Sequence, residues 1–258
     1  MCLPGQRSLI IAQMSAVHSA LGRDQGELVA LERRHWIDLG RRAGEWLAGT
    51  RALSLFWAKT ASIQALEEAH QCMRAGQGCV VFTAHYGHWE LLAAWLVHRG
   101  YDFLTVASAP PRGALGSWLS AQRASMGVQV IHPRGGARRA RRHLAGGGVV
   151  ALLIDHATAE RSITHPFLQR EAPHTLTADR LTRSAEVAAL WVCSRRDAEG
   201  GYEVIARSLN GSVAREAHDD PPPLAYSCEA HRRLERLIIE SPEQWLWLHR
   251  RWTPRELH

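Results

Sequence analysis

Residues 78–92 read Gly78-Cys79-Val80-Val81-Phe82-Thr83-Ala84-His85-Tyr86-Gly87-His88-Trp89-Glu90-Leu91-Leu92. The apolar run Cys79–Phe82 has the length of a buried strand. Residues 83–87 break it, and the run from Trp89 to Leu96 has helical spacing. His85 therefore falls at a strand-to-helix turn, with Glu90 near the start of the helix. A histidine with a carboxylate five positions on, across a turn and not along one helix face, suits a general base and the acid that orients it. The same spacing also suits a core histidine hydrogen-bonded to backbone, so the local sequence leaves both readings open.

Upstream of this stretch, Leu9 to Leu21 is interrupted by Gln13, Ser15, His18 and Ser19, with neither a basic leader nor a small-residue cleavage site. It reads as an amphipathic helix with Ile10, Met14, Val17 and Leu21 on one face, packed on the domain, and export is not expected. Gln25 to Leu47 forms a second helix through Leu28, Leu31, His35 and Leu39, and Ser62 to Arg74 a third. These predict an N-terminal helical layer over residues 1–75 ahead of an α/β core over 76–258, all within one domain. No apolar run reaches the ~18 residues of a membrane span.

Downstream, Gly100 ends the helix that follows His85. Tyr101 to Val106 is a strand, Ala109 to Gly113 a loop, Leu115 to Met126 a helix and Val128 to Ile131 a third strand. Gly135-Gly136 opens a short basic helix with Arg138, Arg139, Arg141 and Arg142. Val149 to Ile154 is an apolar strand that delivers Asp155 at its carboxyl end. The alternation predicts a mostly parallel central sheet flanked by helices on both faces. Ligands gather at the carboxyl ends of such strands, and both His85 and Asp155 lie just beyond one. Further on, Thr164 to Leu168 and the residues after it read as a loop and Thr177 to Ala185 as a helix. Val187 to Ser194 and Tyr202 to Arg207 pair through Gly200-Gly201, Pro221 to Pro223 is a stiff loop, and Ser227 to Glu240 is a helix. Trp245, Trp247 and Trp252 near the end read as core in preference to a membrane belt, with spacing like that of a half-buried strand.

The composition is that of a globular chain: 258 residues, 46% hydrophobic and 22% charged. Its formal charge is +6, with a pI near 9.5, and Lys59 is its only lysine. Acidic partners follow from that charge: phosphates, an anionic membrane surface or an acidic carrier. No aromatic-basic recognition motif accompanies it, so nucleic acid is not expected. The five cysteines are scattered, which argues against a disulfide framework and for a reducing compartment. His85, His88 and Glu90 do not match the His-Glu-x-x-His zinc spacing, and no metal is expected.

Two stretches carry a resemblance. His85-Tyr86-Gly87-His88-Trp89-Glu90 resembles the His-x-Gly-Asn-Trp-Glu box of the bacterial lipid A biosynthesis acyltransferases, the lauroyl and myristoyl transferase family. Pro242-Glu243-Gln244-Trp245-Leu246-Trp247-Leu248-His249-Arg250-Arg251-Trp252 resembles that family's closing box. Between them, Asp155 looks like the family's Asp-Gln site, and His165 to Gln169 like its Val-Pro-Phe-Phe-Gly loop. The resemblance implies a glycerolphosphate-acyltransferase-like fold, with acyl transfer from an acyl carrier protein or coenzyme A thioester to a hydroxyl of a membrane-bound glycolipid or lysolipid. It implies His85 as general base with Glu90 as its acid, Asp155 as a second acid near the histidine, and Arg123 on phosphate or oxyanion. Arg138, His249 and Arg250 are further candidates for substrate contact. His88 stands where the family has Asn, His156 where it has Gln, and Leu168-Gln169 where it has Phe-Gly. The family's usual N-terminal membrane helix has no counterpart, so a peripheral place on the inner face of the cytoplasmic membrane is expected.

The chemistry fits these residue types. A neutral imidazole can take the proton of an alcohol as it attacks a thioester, and a carboxylate on its other nitrogen fixes the tautomer. The alcohol is itself the nucleophile, so no covalent intermediate is needed; no Gly-x-Ser-x-Gly elbow occurs in the chain. The oxyanion needs donors, for which the N–H groups of Gly87, His88 and Trp89 are first candidates and Arg123 second. No cofactor is expected beyond the thioester co-substrate. A thioester hydrolase, or a non-catalytic lipid- or partner-binding protein on the same fold, is the alternative.

Overall fold

Cys79–Thr83 forms a strand, β2, buried along its whole length, and the rest of the chain is layered around it. The computed structural model describes residues 4–107, 113–156, 162–185, 187–210 and 223–252. Two helices come first, α1 (Pro4–Ala20) and α2 (Leu28–Ala48), followed by strand β1 (Phe56–Ala58) and helix α3 (Thr60–Arg74). After β2 come α4 (Trp89–His98), β3 (Phe103–Val106), α5 (Ala114–Ser125), β4 (Gln129–Ile131), α6 (Pro133–Ala145) and β5 (Val149–Leu153). Strands β6 (Ser162–Phe167) and β7 (Arg170–Thr175) precede α7 (Thr177–Ala185), β8 (Ala188–Arg196), β9 (Tyr202–Ser208) and α8 (Ala225–Glu240).

The main sheet has seven strands in the order β1-β9-β8-β2-β5-β3-β4. Strands β8, β2, β5, β3 and β4 run parallel, as expected, while β9 is antiparallel to β8 and β1 follows β9. The N-terminal helical layer thus also supplies one edge strand. Alternate side chains of β2 feed two cores. Val80 and Phe82 pack with Ile10, Met14, Leu31, Leu144, Leu181 and Leu234 on one face. Cys79 and Val81 pack with Leu66, Leu91, Trp95, Phe103 and Val192 on the other. Ile10, Met14 and Val17 are all buried, so the apolar stripe of α1 docks on the domain.

Two expectations need correction. Residues 162–175 are an antiparallel hairpin and not a loop. Leu168 and Gln169 make its two-residue turn with φ of 50° and 58°, the positive pair that such hairpin turns require. Glycine or asparagine usually serves there; here burial of Leu168 and a 2.5 Å hydrogen bond from its N–H to Glu235 hold the turn. Pro166 is tolerated in β6 because this ribbon has only two strands. The terminal tryptophans form no strand beyond a single bridge between Tyr86 and Trp245. Trp245 and Trp247 are buried in the core, Trp252 partly so. The expected loops at Ala109–Gly113 and Pro221–Pro223 lie almost wholly outside the described residues.

Candidate active site

Strands β2 and β5 pair in register, Thr83 opposite Leu153. The residues two positions beyond each strand end, His85 and Asp155, therefore meet. His85 Nδ1 lies 3.0 Å from Asp155 Oδ1, the His85 backbone N–H donates to Oδ2 at 2.9 Å, and the Trp245 indole N–H donates to Oδ2 at 2.8 Å. Burial works against ionisation of Asp155, but the neighbouring His85 and these hydrogen bonds outweigh it and hold the carboxyl well below its usual range. An ionised carboxylate only accepts, so Nδ1 carries the proton and Nε2 is the nitrogen for substrate.

Glu90 does not orient His85, as the five-residue spacing had suggested. It projects from the first turn of α4 into a two-pronged ion pair with Arg123 of α5, at 3.0 and 2.5 Å. That hydrogen-bonded pairing raises the guanidinium pKa. Arg123 thus lies beside His85 in the same cavity wall, with its charge already met by a carboxylate.

The turn between β2 and α4 is held from behind. Gly87 has φ of +57°, and a Cβ there would lie 1.9 Å from the Ser194 carbonyl oxygen, so only glycine fits. Its N–H donates to Gln244 O at 3.1 Å, and the His88 N–H donates to Ser194 Oγ at 3.0 Å. Two of the three backbone donors expected to form an oxyanion hole are therefore taken. The His88 side chain is also structural: buried, it caps α4 by accepting from the Leu91 N–H and meets Arg42 O through Nε2 at 3.0 Å. Burial pushes its pKa down to about 4.

The brace behind the turn comes from α2. Arg42 donates to Gly87 O at 2.8 Å, sits over the Trp89 ring at 5.2 Å and pairs with Asp38. Arg196, at the end of β8, bridges Asp38 and Glu45, and Tyr202 donates to Glu45. None of these groups stood out in the sequence. The available signal was polar residues at helical spacing, His35, Asp38, Arg42 and Glu45, on the face of α2 that Leu31 and Trp46 turn inward. Trp245 is a core residue that also donates to Asp155, a role its apolar surroundings in the sequence do not announce.

Two cavities meet at His85. The first, about 240 Å³, runs under α4 along one sheet face between Val81, Leu92, Leu96, Phe103, Ala151 and Val192, with His85, Trp89, Glu90, Arg123 and His249 at its polar end. The second, about 400 Å³, lies by α6 and α7 and includes Leu152, His156, Thr175, Thr177 and Leu181. His85, Arg123, His249, Ala107 and Leu153 line both. The His249 ring is 4.8 Å from that of His85 and 4.2 Å from that of His156. Trp89 meets His85 edge-on at 5.2 Å. Arg138 and Arg250 are exposed and line neither cavity. The buried arginine of the closing box is Arg251, which donates to Pro173 O and His174.

In comparison with known proteins, the family model described as bacterial lipid A biosynthesis acyltransferase matches residues 52–253. The comparison with curated proteins gives no match.

Proposed function

Because the chain belongs to the bacterial lipid A biosynthesis acyltransferase family, we propose that it moves a fatty acyl group from a thioester of acyl carrier protein or coenzyme A to a hydroxyl of a glycolipid or lysolipid. The observation that carries this reading is His85, fixed by Asp155 through Nδ1, at the junction of an apolar and a mixed cavity. The apolar cavity suits the acyl chain, and the mixed one, with Thr175, Thr177 and His156, suits the head of the acceptor.

In this reading His85 Nε2 takes the proton of the acceptor hydroxyl as its oxygen attacks the thioester carbonyl, forming the C–O bond. Asp155 stabilises the imidazolium that results. Collapse of the tetrahedral intermediate breaks the C–S bond, and the departing thiolate recovers the proton from His85. Arg123 and the Trp89 N–H, at the open first turn of α4, serve the oxyanion. The substrate calls for a peripheral place at the inner face of the cytoplasmic membrane; among the described residues no helix is long and apolar enough to cross one.

The test is transfer of labelled acyl groups from either donor into a total membrane lipid extract. Labelled lipid should form with the wild type and fall by about 10²–10⁴ with His85→Ala. Equal transfer by both proteins would overturn the assignment. Label released only as free fatty acid, at one rate with or without lipid, would replace the transferase with a thioester hydrolase.

A further inference from the structure

A third cavity, about 590 Å³, opens in the crook of α5, β4 and α6, with Ser120, Arg123, Gln129, Val130, His132 and Arg139 among its walls. It shares Ala107 and Arg123 with both chambers at His85, and Val128 with the apolar one. The three cavities therefore adjoin one another at Ala107 and Arg123. β4 is the last strand of the sheet, so its outer backbone edge has no neighbouring strand among the described residues, and its residues Gln129 and Val130 line the third cavity.

The stretch of chain that supplies most of these walls is strongly positive. From Phe103 to Ile154 the chain holds seven arginines and not one Asp or Glu. Arg138, Arg139, Arg141 and Arg142 are exposed on α6. Arg139 makes one long hydrogen bond, 3.4 Å, to the neutral amide of Gln129 and no ion pair among the described residues, and it stands with His132 in the cavity wall. Arg123, by contrast, spends its charge on Glu90.

We propose that this third cavity binds the phosphate of the donor's pantetheine arm, with Arg139 and His132 as its partners. The inference rests on the acyl-transfer reading. A thioester donor placed with its acyl chain under α4 and its carbonyl at His85 must lead its arm away from the apolar chamber. The arm carries two amides, which suit an open strand edge, and ends in a phosphate ester, which suits the planar fork of an arginine. Coenzyme A and acyl carrier protein present the same arm with a phosphate at the same carbon, within a diphosphate in the first and a phosphodiester in the second.

The experiment is calorimetric titration of the full chain with coenzyme A, with holo acyl carrier protein and with pantetheine, which lacks the phosphate. Arg139→Glu should weaken binding of coenzyme A, of the carrier, or of both, at least tenfold, and leave pantetheine unchanged. The donor that loses affinity identifies the source of the phosphate. Unchanged binding of both phosphate-bearing molecules would overturn the proposal. So would an equal loss with pantetheine, which reports damage to the fold, or no wild-type binding of either phosphate form. These readouts need no turnover, so wild type that transfers no acyl group from any donor would refute the transferase reading separately.

Discussion

Asp155 receives three hydrogen bonds, two from His85 and one from Trp245, while Glu90 receives its two from Arg123. The two carboxylates, alike in the sequence, therefore do different work, one on the tautomer of the base and one on a cation beside it. Asp155→Asn should lower the transfer rate by about 10³–10⁴, because an amide neither fixes the tautomer in the same way nor stabilises the imidazolium. Glu90→Gln should cost less, because it leaves Arg123 in place for the oxyanion, and adding Arg123→Gln should lower the rate by about a further 10²-fold. Rates for the four proteins under saturating donor check this. A loss with Glu90→Gln as large as with Asp155→Asn would refute the division of roles.

At the scale of elements, the turn that joins β2 to α4 decides where the base stands, and it is clamped from two sides, by Ser194 of β8 and by Arg42 of α2. Gly87→Ala should destabilise the protein by about 3 kcal/mol, through a left-handed alanine and a collision with the Ser194 carbonyl. It should abolish transfer even where most of the protein remains folded, as urea titration and activity at one temperature will show. Wild-type stability for this variant would mean that the turn has room the geometry denies. The turn itself was legible in the sequence, because an apolar run, a glycine and a helical period announce strand, break and helix one after another. So were the parallel strands and Asp155, since strand ends collect ligands. The brace was not legible, because periodicity reading sends charged residues such as Asp38 and Arg42 to the solvent side of a helix. The neighbourhood of His85 and Asp155 depended on β2 pairing with β5, which no local pattern states. The β6–β7 hairpin was hidden by a turn of leucine and glutamine, residues that announce no turn.

Over the whole molecule, one titration dominates. His35, His88, His174 and His231 are buried, and burial lowers the pKa of each from 6.5, to about 4 for His88 and about 3 for His231. In the unfolded chain these rings take up protons near pH 6.5, while in the folded protein they stay neutral to lower pH. Between those limits the unfolded state binds more protons, so stability falls as the pH falls. Asp179 opposes the trend: burial raises its pKa to about 6, so its share of stability declines as pH rises from about 4 to 6. With four rings against one carboxyl, the urea midpoint should drop steadily from pH 6.5 to 4, and a flat profile would contradict the burial of these histidines in neutral form. The brace on the turn also bears on how such a site is passed on. The family match begins at residue 52, whereas Asp38, Arg42 and Glu45 lie before it. A segment exchanged at that boundary would carry His85 away from Asp38, Arg42 and Glu45, the groups that brace its turn.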